Sequence, residues 1–385
     1  MPKPHILICI DWFVPGYKAG GPIQTVHNFV QAMGDSFELS VLTGDRDLHD
    51  TQAYEGIERD TWLDFSPGVR VCYLSPEAQK PNYIRKLIKD LNPDYLFVNS
   101  LYSLIFNIIP VQTALREAIP IVWAPRGTLA PSALAIKPLK KKAYLTLLRF
   151  LGWPRRVIWQ ATNEEEKSFI QDHFGSQHMD IRIAPNLPKQ KQEPFKAVDK
   201  QVGELNLVYH SRISPVKNLE FFLHCLEGME ENIRFDIYGP AEDPNYLKEL
   251  NKQIQGLPRQ VEVNFKGPVA PPDMAEVLAP YHFSVLTSKG ENFGHAIFEA
   301  LLAGKPVFIS DRTPWKNLEE KKVGFDISLQ KPEEMKRAIK VALQMDAEAY
   351  ADWSRAAWEF ARDFREAPQL MAQNRALFQP PNPFA

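Results

Sequence analysis

One stretch constrains the fold more than any other. Phe283-Ser284-Val285-Leu286-Thr287 is followed by Ser288 to Gly294, then by His295 to Gly304, then by Val307-Phe308-Ile309-Ser310. The first five residues are short, apolar and rich in β-formers, which predicts a buried strand. Gly290 and Gly294 bracket a loop where the backbone can approach a ligand. Ile297, Ala300, Leu301 and Gly304 fall at i, i+3, i+4 and i+7, so His295 to Ala303 reads as a helix with one face to a core. Gly304 ends that helix, Pro306 forbids its continuation, and Val307 to Ser310 is the next strand. A strand, loop, helix, strand unit fits an open parallel sheet, whose ligand crevice lies outside the carboxyl ends of the strands.

The loop carries the chemistry. The amides of Asn292, Phe293 and Gly294, at the helix start, offer N–H groups and a partial positive charge to an anion. Glu291 and Glu299 frame it, with seven residues between them. A carboxylate beside an anion site is a poor anion ligand but a good acceptor for ribose or sugar hydroxyls next to a phosphate. The same spacing also fits an ordinary exposed amphipathic helix.

The stretch resembles the E-x7-E motif of retaining glycosyltransferases with the GT-B fold, in particular the large family 4 (glycosyl transferases group 1). The matching features are Gly290-Glu291-Asn292-Phe293-Gly294, Phe298-Glu299-Ala300 and Ala303-Gly304-Lys305-Pro306-Val307. The resemblance implies two Rossmann-like α/β domains facing a central cleft. Residues 1–188 would bind the acceptor and residues 189–365 the nucleotide-sugar donor. Residues 366–385 would form a helix crossing back to the first domain. It also implies transfer with retention at the anomeric carbon, without a metal or other cofactor.

Composition is compatible. The chain has 385 residues, enough for two cores, with 44% hydrophobic and 24% charged residues. Its net charge of -2 gives no field to draw nucleic acid. Cys9, Cys72 and Cys225 are far apart and form no Cys-x-x-Cys pair, which reads as a reduced, cytoplasmic chain. Ile6 to Ile10 reads as a first strand rather than a signal peptide, and no run of 18 apolar residues spans a bilayer.

In the first half, Ile6 to Ile10, Leu39 to Leu42, Val69 to Leu74, Tyr95 to Asn99, Ile119 to Trp123 and Val157 to Ala161 read as strands. Helices are expected over Ile23 to Met33, Asn82 to Leu91 and Asn163 to Phe174, an alternation that implies a doubly wound domain. Gly20-Gly21 lies between the first strand and first helix, with Pro22 at the helix start. By itself this is a tight turn. The family carries Gly-Gly here, which implies a donor-binding role. Asp45-Arg46-Asp47 imitates a metal-binding Asp-x-Asp, but no third ligand is near and no metal is expected. Asn99 to Ser103 and Ala124 to Leu129 follow strand ends and are expected at the cleft, the second resembling a Pro-Arg-Gly segment of the family. His27 reads as a helix-surface or core residue, so no cleft histidine is assigned.

Between 137 and 156, Lys137, Lys140, Lys141, Lys142, Arg149, Arg155 and Arg156 stand without an acidic residue. Leu139, Ala143, Leu147, Phe150 and Leu151 are interleaved at helical spacing, with Trp153 just beyond. Such a helix can lie on an anionic membrane surface, or its stripe can pack on the sheet beneath solvated cations.

Asn186 to Pro194 reads as a linker. After it, Leu205 to His210 is a strand leading into Ser211-Arg212-Ile213-Ser214-Pro215-Val216-Lys217-Asn218. An Arg and a Lys straddling a proline turn at a strand's carboxyl end suit a diphosphate. The segment is similar to the family's Gly-Arg…Lys-Gly, with His210-Ser211 before Arg212 and Asn218 after Lys217 in place of glycines. By the same resemblance, Pro268 and Val269 would contact the base. Arg212 and Lys217 would neutralise the leaving diphosphate. Glu299 would hold the ribose and Glu291 the donor sugar. The acceptor would be a saccharide or lipid-linked saccharide, with an epimerase or a non-catalytic nucleotide-sugar-binding subunit of the same fold as rival readings.

Overall fold

The computed structural model describes residues 3–269 and 274–380. Two compact units emerge: residues up to Gln190 together with those from Ala367 onward, and Lys191–Glu366.

The first unit holds strands β1 (His5–Cys9), β2 (Glu38–Gly44), β3 (Trp62–Ser66), β4 (Val69–Leu74), β5 (Tyr95–Asn99), β6 (Ile121–Ala124), β7 (Ile158–Ala161) and β8 (Asp180–Ile183). They lie in the order β3-β4-β2-β1-β5-β6-β7-β8, with β3 antiparallel to β4 and the rest parallel. The central strands are the continuous apolar runs of the sequence, covered by helices on both faces. The last helix, Pro368–Ala376, completes this unit with Leu377 and Phe378 just after it. Phe378 packs its ring against Phe29, Phe37, Tyr95 and Phe97. Arg182 donates to the Ala376 carbonyl at 2.6 Å and Asn374 to that of Pro185 at 3.0 Å.

The second unit is a parallel sheet of β9 (Glu204–His210), β10 (Asn232–Tyr238), β11 (Val261–Gly267), β12 (Phe283–Leu286), β13 (Val307–Ser310) and β14 (Gly324–Ile327). Its order is β11-β10-β9-β12-β13-β14. Counted from β9 this is 3-2-1-4-5-6, so the winding reverses between β9 and β12. Phe283, Phe308 and Phe325 stack across β12, β13 and β14 and anchor the core under that reversal.

Edge strands β3, β8 and β14 were not expected. β3 and β8 are half-exposed and mix charged with apolar residues, and β14 opens on Gly324, against which a Cβ would lie 2.3 Å from the Val307 carbonyl oxygen. The helical stretch Leu104–Arg116 was also unexpected. It starts as a π-helical turn, and Pro110 stands in the first α turn that follows. The Pro138–Phe150 helix bears on the two readings of its apolar stripe. It turns Leu145 and Leu148 to the core, whereas Leu139, Ala143, Leu147 and Phe150 face outward. Trp153, expected beside that outer stripe, is buried instead.

Candidate functional site

The sheet reversal in the second unit places two loops side by side, Ser211–Asn218 after β9 and Thr287–Gly294 after β12. Reciprocal bonds join them. Asn218 Nδ2 donates to the Thr287 carbonyl at 3.1 Å, Thr287 Oγ1 donates to the Asn218 carbonyl at 2.9 Å, and the Lys289 amide donates to Val216 at 2.8 Å. Asn218 adopts the left-handed conformation, φ 57°. Asparagine is the side chain that tolerates it best, and here its amide also ties the loops.

Lys217 and Glu291 meet between these loops. Lys217 Nζ lies 2.5 Å from Glu291 Oε1, with side chains only 14% and 10% exposed. The same oxygen accepts from Ser288 Oγ at 2.6 Å, and Ser310 Oγ in turn holds the Ser288 carbonyl at 2.5 Å. The Glu291 amide donates to Arg312 at 3.0 Å, which fixes the backbone beneath the carboxylate. Arg212 is more open. Its carbonyl accepts from the Tyr209 hydroxyl at 2.6 Å, and its guanidinium pairs with Glu242 at 2.5 Å. Gly239 makes this approach possible: a Cβ there would sit 1.8 Å from the Ser211 carbonyl oxygen.

Glu299 rises from the first turns of the His295–Leu302 helix. Its Oε2 lies 3.8 Å from Nε2 of His210, the last residue of β9. The imidazole is buried, which pushes it down to about 4, so it faces Glu299 neutral, with Nδ1 3.4 Å from Ser284 Oγ. Gly294 caps the helix at φ 77°. Phe293 departs from a simple donor contact. Its ring is buried among Phe298, Trp315 and Phe364, and its carbonyl accepts from Trp315 Nε1 at 2.6 Å.

The structure thus groups Arg212, Lys217, Glu291, Asn292, Gly294 and Glu299 at one reversal point. Pro268 and Val269 stand past the end of β11, two strands from β9. Gly20 and Gly21 belong to the other unit, where Gly20 at φ 68° caps the Gly21–Met33 helix. Their loop is fastened by Asp47, which accepts from the Tyr17 and Lys18 amides at 2.7 and 2.9 Å. Asp45 is engaged by Arg46 and Arg59. Arg126 is half-buried and already engaged: it donates to Asn99 and Asn186, and its guanidinium sits over the Phe97 ring at 5.5 Å. Sequence reading missed Glu242, Ser288 and Tyr209 as supports. Only their positions at strand ends pointed to them.

Residues 190–360 match the family model described as glycosyl transferases group 1. No curated protein matches the chain by sequence. Among solved structures the fold is similar to that of Anabaena HepE in complex with UDP-glucose, at 18% identity and a TM-score of 0.70, over 97% of this chain and 98% of that one. It is also similar to sucrose-phosphate synthase from Thermosynechococcus elongatus, at 15% identity and a TM-score of 0.71, over 98% of each chain. WaaG, a glycosyltransferase of lipopolysaccharide biosynthesis, aligns at 14% identity and a TM-score of 0.65, over 97% of this chain and 98% of that one. Two parallel-sheet α/β units with these likenesses define a GT-B fold. The family match falls on the second unit, whereas the likenesses to solved structures run over the whole fold.

Proposed function

We propose that this chain is a retaining, metal-independent glycosyltransferase of family 4, moving a sugar from a nucleotide-diphosphate sugar to a saccharide or lipid-linked saccharide. The observation that carries this reading is the joint placement of Arg212, Lys217, Glu291 and Glu299 at the β9/β12 reversal. A UDP-sugar is the favoured donor, because HepE was solved with UDP-glucose. In this reading the second unit binds the donor, with Pro268 and Val269 toward the base, and the first unit binds the acceptor.

The chemistry follows from the side chains. The bond between the anomeric carbon and the diphosphate oxygen breaks, and the acceptor oxygen bonds to that carbon on the same face. Arg212 and Lys217 stabilise the charge growing on the leaving diphosphate, assisted by the amides of Asn292 to Gly294. The acceptor's proton passes to the leaving phosphate, so no general base is assigned. Glu299 accepts from ribose hydroxyls and Glu291 from the sugar. This scheme uses no metal, so added EDTA should leave the rate unchanged; strict dependence on Mg2+ or Mn2+ contradicts it. The proposed setting is cell-surface polysaccharide or glycolipid synthesis, in the cytoplasm and peripherally at a membrane face.

The deciding experiment pairs thermal shift against UDP, GDP and ADP with product analysis over donors and acceptors. A ligand at 100 times its Kd adds ~2.7 kcal/mol. A glycosylated product with retained configuration supports transfer. An isomerised nucleotide sugar points to an epimerase, and binding without turnover to a non-catalytic subunit.

A further inference from the structure

We infer that the outward face of the Pro138–Phe150 helix docks on an anionic lipid bilayer. This names the surface and the lipid for the membrane contact in the reading above, and rests on that part of it alone. The helix is held firmly from below. Leu145 and Leu148 are buried, Tyr144 donates from its hydroxyl to the Leu101 carbonyl at 2.7 Å, and Lys141 Nζ donates to that of Ala133 at 2.6 Å. Lys141 also lies over the Tyr102 ring at 5.0 Å. The outer residues therefore need no folding step before they meet a partner.

Leu139, Ala143, Leu147 and Phe150 recur at i, i+4, i+8 and i+11 on the solvent side. Leu139 is 83% exposed and Phe150 87%, with Ile136 and Leu151 exposed beside them. Over about 20 Å of helix this is an apolar ridge. Lys140 flanks it on one side, Lys142 and Arg149 on the other, and Lys137, Arg155 and Arg156 extend the charge at its ends, all exposed. No acidic residue occurs between 137 and 156.

The charge chooses the occupant. A second copy docked on the same face would set like charges against like, which is repulsive. An anionic bilayer satisfies both features at once: the ridge enters the acyl boundary while lysine and arginine heads stay among the phosphates. Among the described residues no helix is long and apolar enough to cross a membrane, so this contact lies in the interface plane.

The test is co-sedimentation of the full chain with vesicles of phosphatidylcholine alone, or with about 30% phosphatidylglycerol, at low and high salt. Binding is expected to the anionic vesicles only and to be released by salt. Lys140→Glu with Lys142→Glu should weaken it at least about tenfold. Leu139→Ser with Phe150→Ser should abolish it at unchanged charge. Lys248→Glu with Lys252→Glu, the same charge change on an exposed helix of the other unit, should cost much less. No binding at low salt, equal binding to neutral vesicles, or equal loss in the Lys248/Lys252 control overturns the inference. So does self-association that the Leu139/Phe150 variant removes without any vesicle binding. UDP binding by calorimetry on the same samples separates the outcomes: nucleotide binding without vesicle binding removes this surface and leaves the transferase reading intact.

Discussion

Replacing Lys217 by Met removes one half of an ion pair that is nearly out of water. The charges lie 2.5 Å apart, so at an effective dielectric of ~20 their gross attraction is ~7 kcal/mol. Desolvation of both ends offsets much of this, and a tenth or more of each side chain still meets solvent. The substitution should therefore cost about 3 kcal/mol, mostly from leaving Glu291 with the Ser288 hydroxyl as its remaining side-chain partner among the described residues. Urea denaturation of Lys217→Met, Glu291→Gln and the double variant measures this. The double variant should recover about 2 kcal/mol relative to the sum of the singles. A coupling below about 0.5 kcal/mol would refute the structural half of the argument. The kinetic half is separate. If Lys217 meets the leaving diphosphate, kcat should fall about 100-fold while the KM for donor changes less. Lost stability with unchanged kcat/KM would leave Lys217 a structural cation.

Other perturbations reach the neighbouring groups. Glu299→Ala should weaken nucleoside diphosphate binding by ~1–3 kcal/mol, the worth of hydrogen bonds to a charged group; unchanged affinity by calorimetry removes the ribose assignment. His210 is held at about 4 against an ordinary 6.5, because burial disfavours its charged form. The unfolded chain thus binds a proton between these values that the fold does not. Stability is full above pH 6.5 and falls by ~3 kcal/mol as pH drops to about 4, and His210→Asn should flatten its share of that slope in pH-dependent denaturation. Gly239→Ala, with its Cβ driven into the Ser211 carbonyl, should destabilise the second unit or displace the loop that carries Arg212. A Tm and kcat both equal to the parent would contradict the close approach.

The 283–310 stretch was legible because each signal agreed: a short β-rich run, two glycines, a periodic helix and Gly-x-Pro at its end. Arg212 and Lys217 were legible from charge at a strand end. Edge strands β3 and β8 were not, because a half-exposed strand mixes polar and apolar residues as loops do, and β14, though mostly buried, is only four residues long and opens on a glycine. Arg126 shows a second limit. An arginine at a strand end reads as a ligand for anions, yet here Asn99 and Asn186, distant in sequence, accept its donors inside the first unit. The apolar stripe at 139–150 was visible, but periodicity does not say which side of a helix is covered, and Leu145 and Leu148 rather than the stripe meet the core.

Glu242 gives the second unit one further property. It already holds Arg212, as Glu291 holds Lys217, so neither cation waits with a bare charge. A diphosphate arriving there would exchange partners with two carboxylates rather than fill an empty positive basin. Exchange of this kind nearly conserves the number of ion contacts, so the apparent affinity should respond only weakly to ionic strength. It also releases two carboxylates beside the bound anion, and their repulsion would favour departure of the spent nucleotide once the sugar has gone.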